Sequence, residues 1–158
     1  MKGVLTEEEK KKVEELLENQ YGISNALKNY VAIVSGENRI RITHKDVLEF
    51  SWKLKGVVNI GLYIAKLAEN EVSLSIEGAQ LFSSLIRKNI INLTLDEAEK
   101  WMRGETLRIE NVSNSRYVVA KFDDIFLGTG RVGKDGFIYP QIPKNRLTAQ
   151  NLRSAENL

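Results

Sequence analysis

Cysteine is absent from these 158 residues, which removes disulfides, thiolate nucleophiles and cysteine-bound metal from consideration. Histidine occurs once, at His44, so imidazole chemistry has a single candidate. No apolar run approaches the roughly 18 residues a membrane-spanning helix needs. The opening Met1-Lys2-Gly3 lacks the apolar stretch of a secretion signal. Internal repeats and low-complexity segments are missing too. These absences lead us to expect a cytoplasmic protein with no membrane, metal or cofactor, and poor equipment for catalysis. What is present, 42% apolar and 28% charged residues, is ordinary for a folded chain of one large domain or two small ones.

Charge separates the chain into unlike parts. Residues 1–82 hold 11 Lys and Arg against 12 Asp and Glu, whereas 83–158 hold 12 against 9. Within 125–153, five cations (Arg131, Lys134, Lys144, Arg146, Arg153) face one acid, Asp135. Such an excess attracts phosphates if folding gathers it on one face, and is a solvated basic tail if it does not.

Thr6 with Glu9 forms a capping-box signature, followed by Val13, Leu16 and Leu17 on one helical face, and Gly22 is placed to stop the helix. The run Lys10-Lys11-Lys12 belongs to the solvated side of that helix. Residues 30–34 and 39–43 read as strands around a Gly36-Glu37-Asn38 turn, the second strand placing Arg39 and Arg41 opposite Ile40 and Ile42. Residues 44–52 read as a short helix, and 57–67 as a buried strand bent at Gly61. Ser75 caps a helix presenting Ile76, Ala79, Phe82, Leu85 and Ile86 inward. In the second half, 89–93 is a short strand. Thr94 with Glu97 is another capping box, opening a helix over 95–103 with Leu95, Ala98 and Met102 inward, and Gly104 ends it. Strands then follow at hairpin spacing, 106–112, 116–122, 125–132 and 137–139, which is the pattern of a small, partly open barrel. The expected fold class is therefore α+β: an α/β domain over 1–90, a β pseudo-barrel over 91–150 and a loose tail over 151–158.

Several catalytic readings fail on spacing. His44 sits where strand gives way to helix, a place for capping or exposure. Asp123-Asp124 falls at a tight hairpin turn. Gly128-Thr129-Gly130 is too short for a dinucleotide fingerprint and is followed by strand. A surface suited to RNA remains. Gly128 and Gly130 offer positions without side chains where another backbone could approach, and Arg116, Lys121, Arg131, Lys134, Lys144 and Arg146 surround them. Tyr117, Phe137 and Tyr139 are interleaved; Tyr117 and Phe137 read more readily as core than as stacking platforms.

The segment Leu93-Thr94-Leu95-Asp96-Glu97-Ala98-Glu99-Lys100-Trp101-Met102-Arg103-Gly104-Glu105 resembles the opening helix of a PUA domain, the module named for pseudouridine synthase and archaeosine transglycosylase. Tyr117-Val118-Val119-Ala120-Lys121-Phe122, Leu127-Gly128-Thr129-Gly130-Arg131-Val132 and Tyr139-Pro140 with Pro143-Lys144-Asn145-Arg146 extend the likeness. The version it looks most like closes the Nop/Sun-type RNA cytosine-5 methyltransferases. Tyr21-Gly22-Ile23 and Leu74-Ser75-Ile76-Glu77-Gly78-Ala79 are similar to the pre-PUA domain found there and in Nip-type ribosome biogenesis factors. The resemblance spans about residues 20–147. It implies binding of tRNA or rRNA through Lys100, Arg103, Arg116, Lys121, Arg131, Lys144 and Arg146; with Gly128 and Gly130 from the strand pattern, these are the expected RNA-binding residues, and the basic side chains near the end of the chain are expected to converge into one patch. Those methyltransferases use a cysteine nucleophile and a Rossmann-like domain, and this sequence has neither. The expectation is a non-enzymatic RNA-binding protein in RNA modification or ribosome biogenesis, working beside a separate RNA-modifying enzyme or assembly factor. The alternative is a protein-interaction adaptor docking onto such a complex.

Overall fold

The computed structural model describes residues 3–46, 61–110 and 115–143. Most of the expected helix over 44–52, the opening of the strand over 57–67, part of the break at 113–115, Lys144, Arg146 and the tail over 151–158 lie outside the described residues.

The first half is an antiparallel sheet in simple meander order: β1 (Gly3–Val4), β2 (Val31–Ser35), β3 (Arg39–Thr43), β4 (Leu62–Ala68) and β5 (Glu71–Leu74). Alternation in β2 and β3 turns Ala32, Val34, Ile40 and Ile42 inward and leaves Arg39 and Arg41 on the outer face, as the period-2 pattern requires. Helix α1 (Glu7–Tyr21) covers the inner face. Its capping box is formed in both directions, Thr6 Oγ1 accepting from Glu9 N (3.1 Å) and Glu9 Oε1 from Thr6 N (3.0 Å). Gly22 ends it in the left-handed conformation (φ 74°). Gln20 and Tyr21 clamp the end of α1 to β5: the Tyr21 hydroxyl donates to the Val72 carbonyl, and Gln20 Oε1 accepts from Val72 N at 2.6 Å.

The second sheet runs β6 (Ile90–Asn92), β8 (Tyr117–Phe122), β9 (Ile125–Val132), β10 (Phe137–Pro140), β7 (Leu107–Arg108), with β6 parallel to β8 and the other pairs antiparallel. Between the two sheets in sequence lies α2 (Ile76–Leu81), capped by Ser75 Oγ accepting from Gly78 N; the helix is one turn shorter than its apolar spacing suggests, and residues 82–85 continue it only as turns. Helix α3 (Leu95–Met102) opens with the expected Thr94–Glu97 capping box. Its inward face differs from the expected one. Ala98 and Trp101 are buried, while Leu95 is 60% exposed. In two turns of helix, the sets 95, 98, 102 and 98, 101 are nearly equivalent apolar stripes; the indole decides between them because it buries the larger area and finds a partner, Nε1 donating to the Leu127 carbonyl at 3.0 Å.

Two apolar clusters flank the second sheet. Ile91, Leu93, Ala98, Trp101, Leu107, Val118, Ala120 and Ile138 fill the side turned to α3. On the other side, Val119 and Phe126 join the cluster of the first half. Thr129 pins that second contact: its hydroxyl accepts from Leu74 N (3.1 Å) and donates to the Leu74 carbonyl (3.2 Å). The hydroxyl completes one short rung between β9 and β5, so the two halves share buried structure.

Candidate nucleic-acid interface

Strand register places four side chains on one face of the second sheet. In β10, Phe137 and Tyr139 are two apart and so point the same way. Phe137 lies opposite Arg108 of β7, and Tyr139 opposite Arg131 of β9. Each cation sits over its aromatic neighbour: Arg131 Cζ is 4.9 Å from the Tyr139 ring centroid, and Arg108 Cζ is 5.8 Å from that of Phe137. Both arginines are exposed and both rings half-buried. Neither arginine forms a salt bridge among the described residues. The intervening Ile138 and Leu107 point the other way, into the Trp101 cluster.

A turn at 133–136 holds this row in place. Asp135 accepts from Phe137 N at 3.0 Å and from the Tyr139 hydroxyl. Those two bonds, Tyr139 first, hold the Asp135 carboxyl below its ordinary range, and the same contact raises the Tyr139 phenol. Lys134 stands at the tip of the turn, exposed and without an ion pair among the described residues.

Among the described residues, those singled out in the sequence do not converge into one patch. Lys100 of α3 and Arg103, its C-cap, lie on the opposite side of the sheet from Arg131. Gly130 faces Trp101, so its strand neighbour Arg131 must face away. Both helix cations also have carboxylate partners, Lys100 with Asp96 at 3.2 Å and Arg103 with Glu105 at 2.5 Å. Arg116 reaches Glu71 of β5 at 3.4 Å, an exposed pair that bridges the two halves. Lys121 lies at the far end of β8, its Nζ 5.4 Å from the Phe126 ring centroid. Lys144 and Arg146 lie outside the described residues.

The two glycines require a correction. Both are buried and already approached by the chain itself. A Cβ on Gly130 would lie 2.5 Å from Trp101 Cη2 and 2.8 Å from Ile138 Cγ2. One on Gly128 (φ 84°) would meet Ile76 at 3.3 Å. Their missing side chains admit α3 and the start of α2, leaving no room for an external backbone. Tyr117 is buried against the first half, as expected of a core residue. Phe137 instead stays half-buried under Arg108.

Arg108 escaped the sequence reading. The one signal for it is the Leu107-Arg108 alternation inside a two-residue strand, too short to carry a period on its own. Among the described residues no group of three or more His, Cys, Asp and Glu is placed to hold a metal ion. No helix among them is long and apolar enough to cross a membrane.

Comparison with known families agrees with this half of the molecule. A family model described as the methyltransferase RsmF PUA domain matches residues 88–147, which takes in β6 to β10 and α3. The match marks that segment as PUA-like, in keeping with the curled half-barrel of the second sheet, and a PUA domain suggests RNA binding in a methyltransferase-related context. No match was found among curated proteins.

Proposed function

We propose that the chain binds structured RNA, tRNA or rRNA, through the exposed face made by Arg108, Arg131, Phe137 and Tyr139, and presents it to a separate RNA-modifying enzyme or ribosome-assembly factor in the cytoplasm. The observation that carries this reading is the pair of cation–aromatic stacks in register on one sheet face of the PUA segment. A guanidinium whose partner is a ring keeps its N–H donors available for phosphate oxygens, and exposed arginine and aromatic planes give splayed bases a surface to stack on. The chain itself supplies no chemistry in this reading. In the same proposal, 1–90 is a pre-PUA-like domain that buttresses 91–150, with Thr129 and Leu74 at the join.

The test is binding of a tRNA transcript and an rRNA stem-loop across a salt series. Contacts from Arg108, Arg131 and Lys134 correspond to a log–log slope of about −2 to −3. Binding that ignores salt, or that survives loss of both arginines, contradicts the proposal.

A further inference from the structure

The first sheet repeats this arrangement on its own outer face. Arg39 and Arg41 of β3 lie 5.5 Å and 5.9 Å from the ring centroid of Tyr63 in β4, so two guanidinium groups share one half-buried ring. Lys66 sits directly across from Arg39 in register. Among the described residues, two acids share this face: Glu37, 2.9 Å from Arg39, and Glu71, which is paired with Arg116. Arg41 donates to the Gly61 carbonyl at 3.3 Å, and neither it nor Lys66 has an ion pair among the described residues. The Nε atoms of Arg39 and Arg41 are shut away from solvent and have no hydrogen-bond partner among the described residues. Like charges gathered at one ring repel, and an anion laid across them converts that repulsion into attraction.

Beside this cluster opens a cleft of about 220 Å³, with Arg39, Tyr63 and Lys66 on one wall and Pro140 to Pro143 on the other. Pro140 follows Tyr139 directly, and Gln141 N donates to the Thr129 carbonyl at 3.0 Å, which brings the segment down beside β5. The cleft is smaller than the roughly 300–1,000 Å³ of pockets that enclose a small ligand. It suits one unit of a polymer.

We infer that the outer face of the first sheet is a second RNA platform, on which a single strand leaving Arg131 and Tyr139 crosses the cleft at Pro140, sets its phosphates on Arg41 and Lys66 and stacks a base against the Arg39–Tyr63 pair. This rests on RNA being the ligand of the second sheet. Base stacking on arginine and tyrosine planes and phosphate contacts to strand-borne cations are the ordinary means of holding single strands.

Single-stranded RNAs of six and eighteen nucleotides, mixed in sequence, test it. Arg41→Gln with Lys66→Gln is expected to leave the hexamer unaffected and to weaken the 18-mer roughly tenfold, with a salt slope shallower by about 1.4, or about 0.7 for each lost contact. Lys66→Gln alone, at an exposed position, removes half of that change without touching the fold, which a thermal melt verifies. Wild-type affinity and slope for the 18-mer in the double variant overturn the inference. If Arg108→Glu with Arg131→Glu leaves hexamer binding intact, the reading of the second sheet fails, while the Arg41 and Lys66 result still decides the first. If the wild type binds a tRNA transcript but neither single strand, the inference falls while the reading of the second sheet stands.

Discussion

On the side of the second sheet turned to α3, alternate residues are apolar or glycine and close around Trp101, which is fully buried. On the other side, where the first half stops covering it, the same strands carry Arg108, Arg131, Phe137 and Tyr139. The cations near α3 are neutralised by carboxylates one turn or two residues away. Those on the open face rest on rings. A ring attracts a cation without cancelling its charge, so on the open face Arg108, Arg131 and Lys134 outnumber the one neighbouring carboxylate, Asp135, among the described residues. The comparison teaches that partner type, more than the number of basic residues, separates a charge that stabilises its own helix from one available to a ligand.

Substitutions on the two faces should therefore separate stability from binding. The largest effect is expected from Trp101→Ala, which empties the α3 side and removes the bond to Leu127; a loss of about 3–5 kcal/mol should appear in denaturant unfolding. The remaining folded protein should bind RNA normally. Next comes Arg108→Glu with Arg131→Glu, expected to weaken binding of a tRNA transcript about 30- to 100-fold, most of it recovered as a loss of salt dependence, with an unchanged unfolding midpoint. Gly130→Ala pushes a methyl group into Trp101 and Ile138 and should cost about 1–3 kcal/mol of stability, and RNA affinity of the folded fraction should stay as it was. A drop in affinity with intact stability would show Gly130 acting on the ligand side. Lys100→Gln with Arg103→Gln should change RNA affinity by less than about threefold, since exposed ion pairs of this kind contribute little to either property.

The smallest effect concerns pH. The folded Asp135 carboxyl titrates below its ordinary 3.8, so its contribution to the 133–136 turn is complete above that value and fades as pH falls through the lowered one. Proton NMR of the Tyr139 ring should show this loss in acid, and Asp135→Asn should abolish it.

Much of the backbone was legible because its signals are local. Both capping boxes, the alternation in Arg39–Thr43, the span Ile125–Val132 and the turn at Asp123-Asp124, where Asp123 takes a positive φ of 53°, depend on residues within a few positions of each other. The site was less legible because its geometry is set by distant partners. Gly128 and Gly130 look like open positions until Ile76 and Trp101 arrive from 52 and 29 residues earlier in the chain. Arg108 acquires its role only when β7 pairs with β10. Basic residues counted along the chain cannot reveal that α3 puts its two beneath the sheet while β9 puts Arg131 above it. The match over 88–147 names the domain but leaves that sidedness to the coordinates.

Ultraviolet crosslinking of a bound tRNA transcript, with the modified peptides identified by mass spectrometry, tests the account most directly. Adducts on Phe137 or Tyr139 in β10, abolished by Arg108→Glu with Arg131→Glu, are the expected result. Adducts confined to α3 around Lys100 and Arg103, with β10 unmodified, would contradict it.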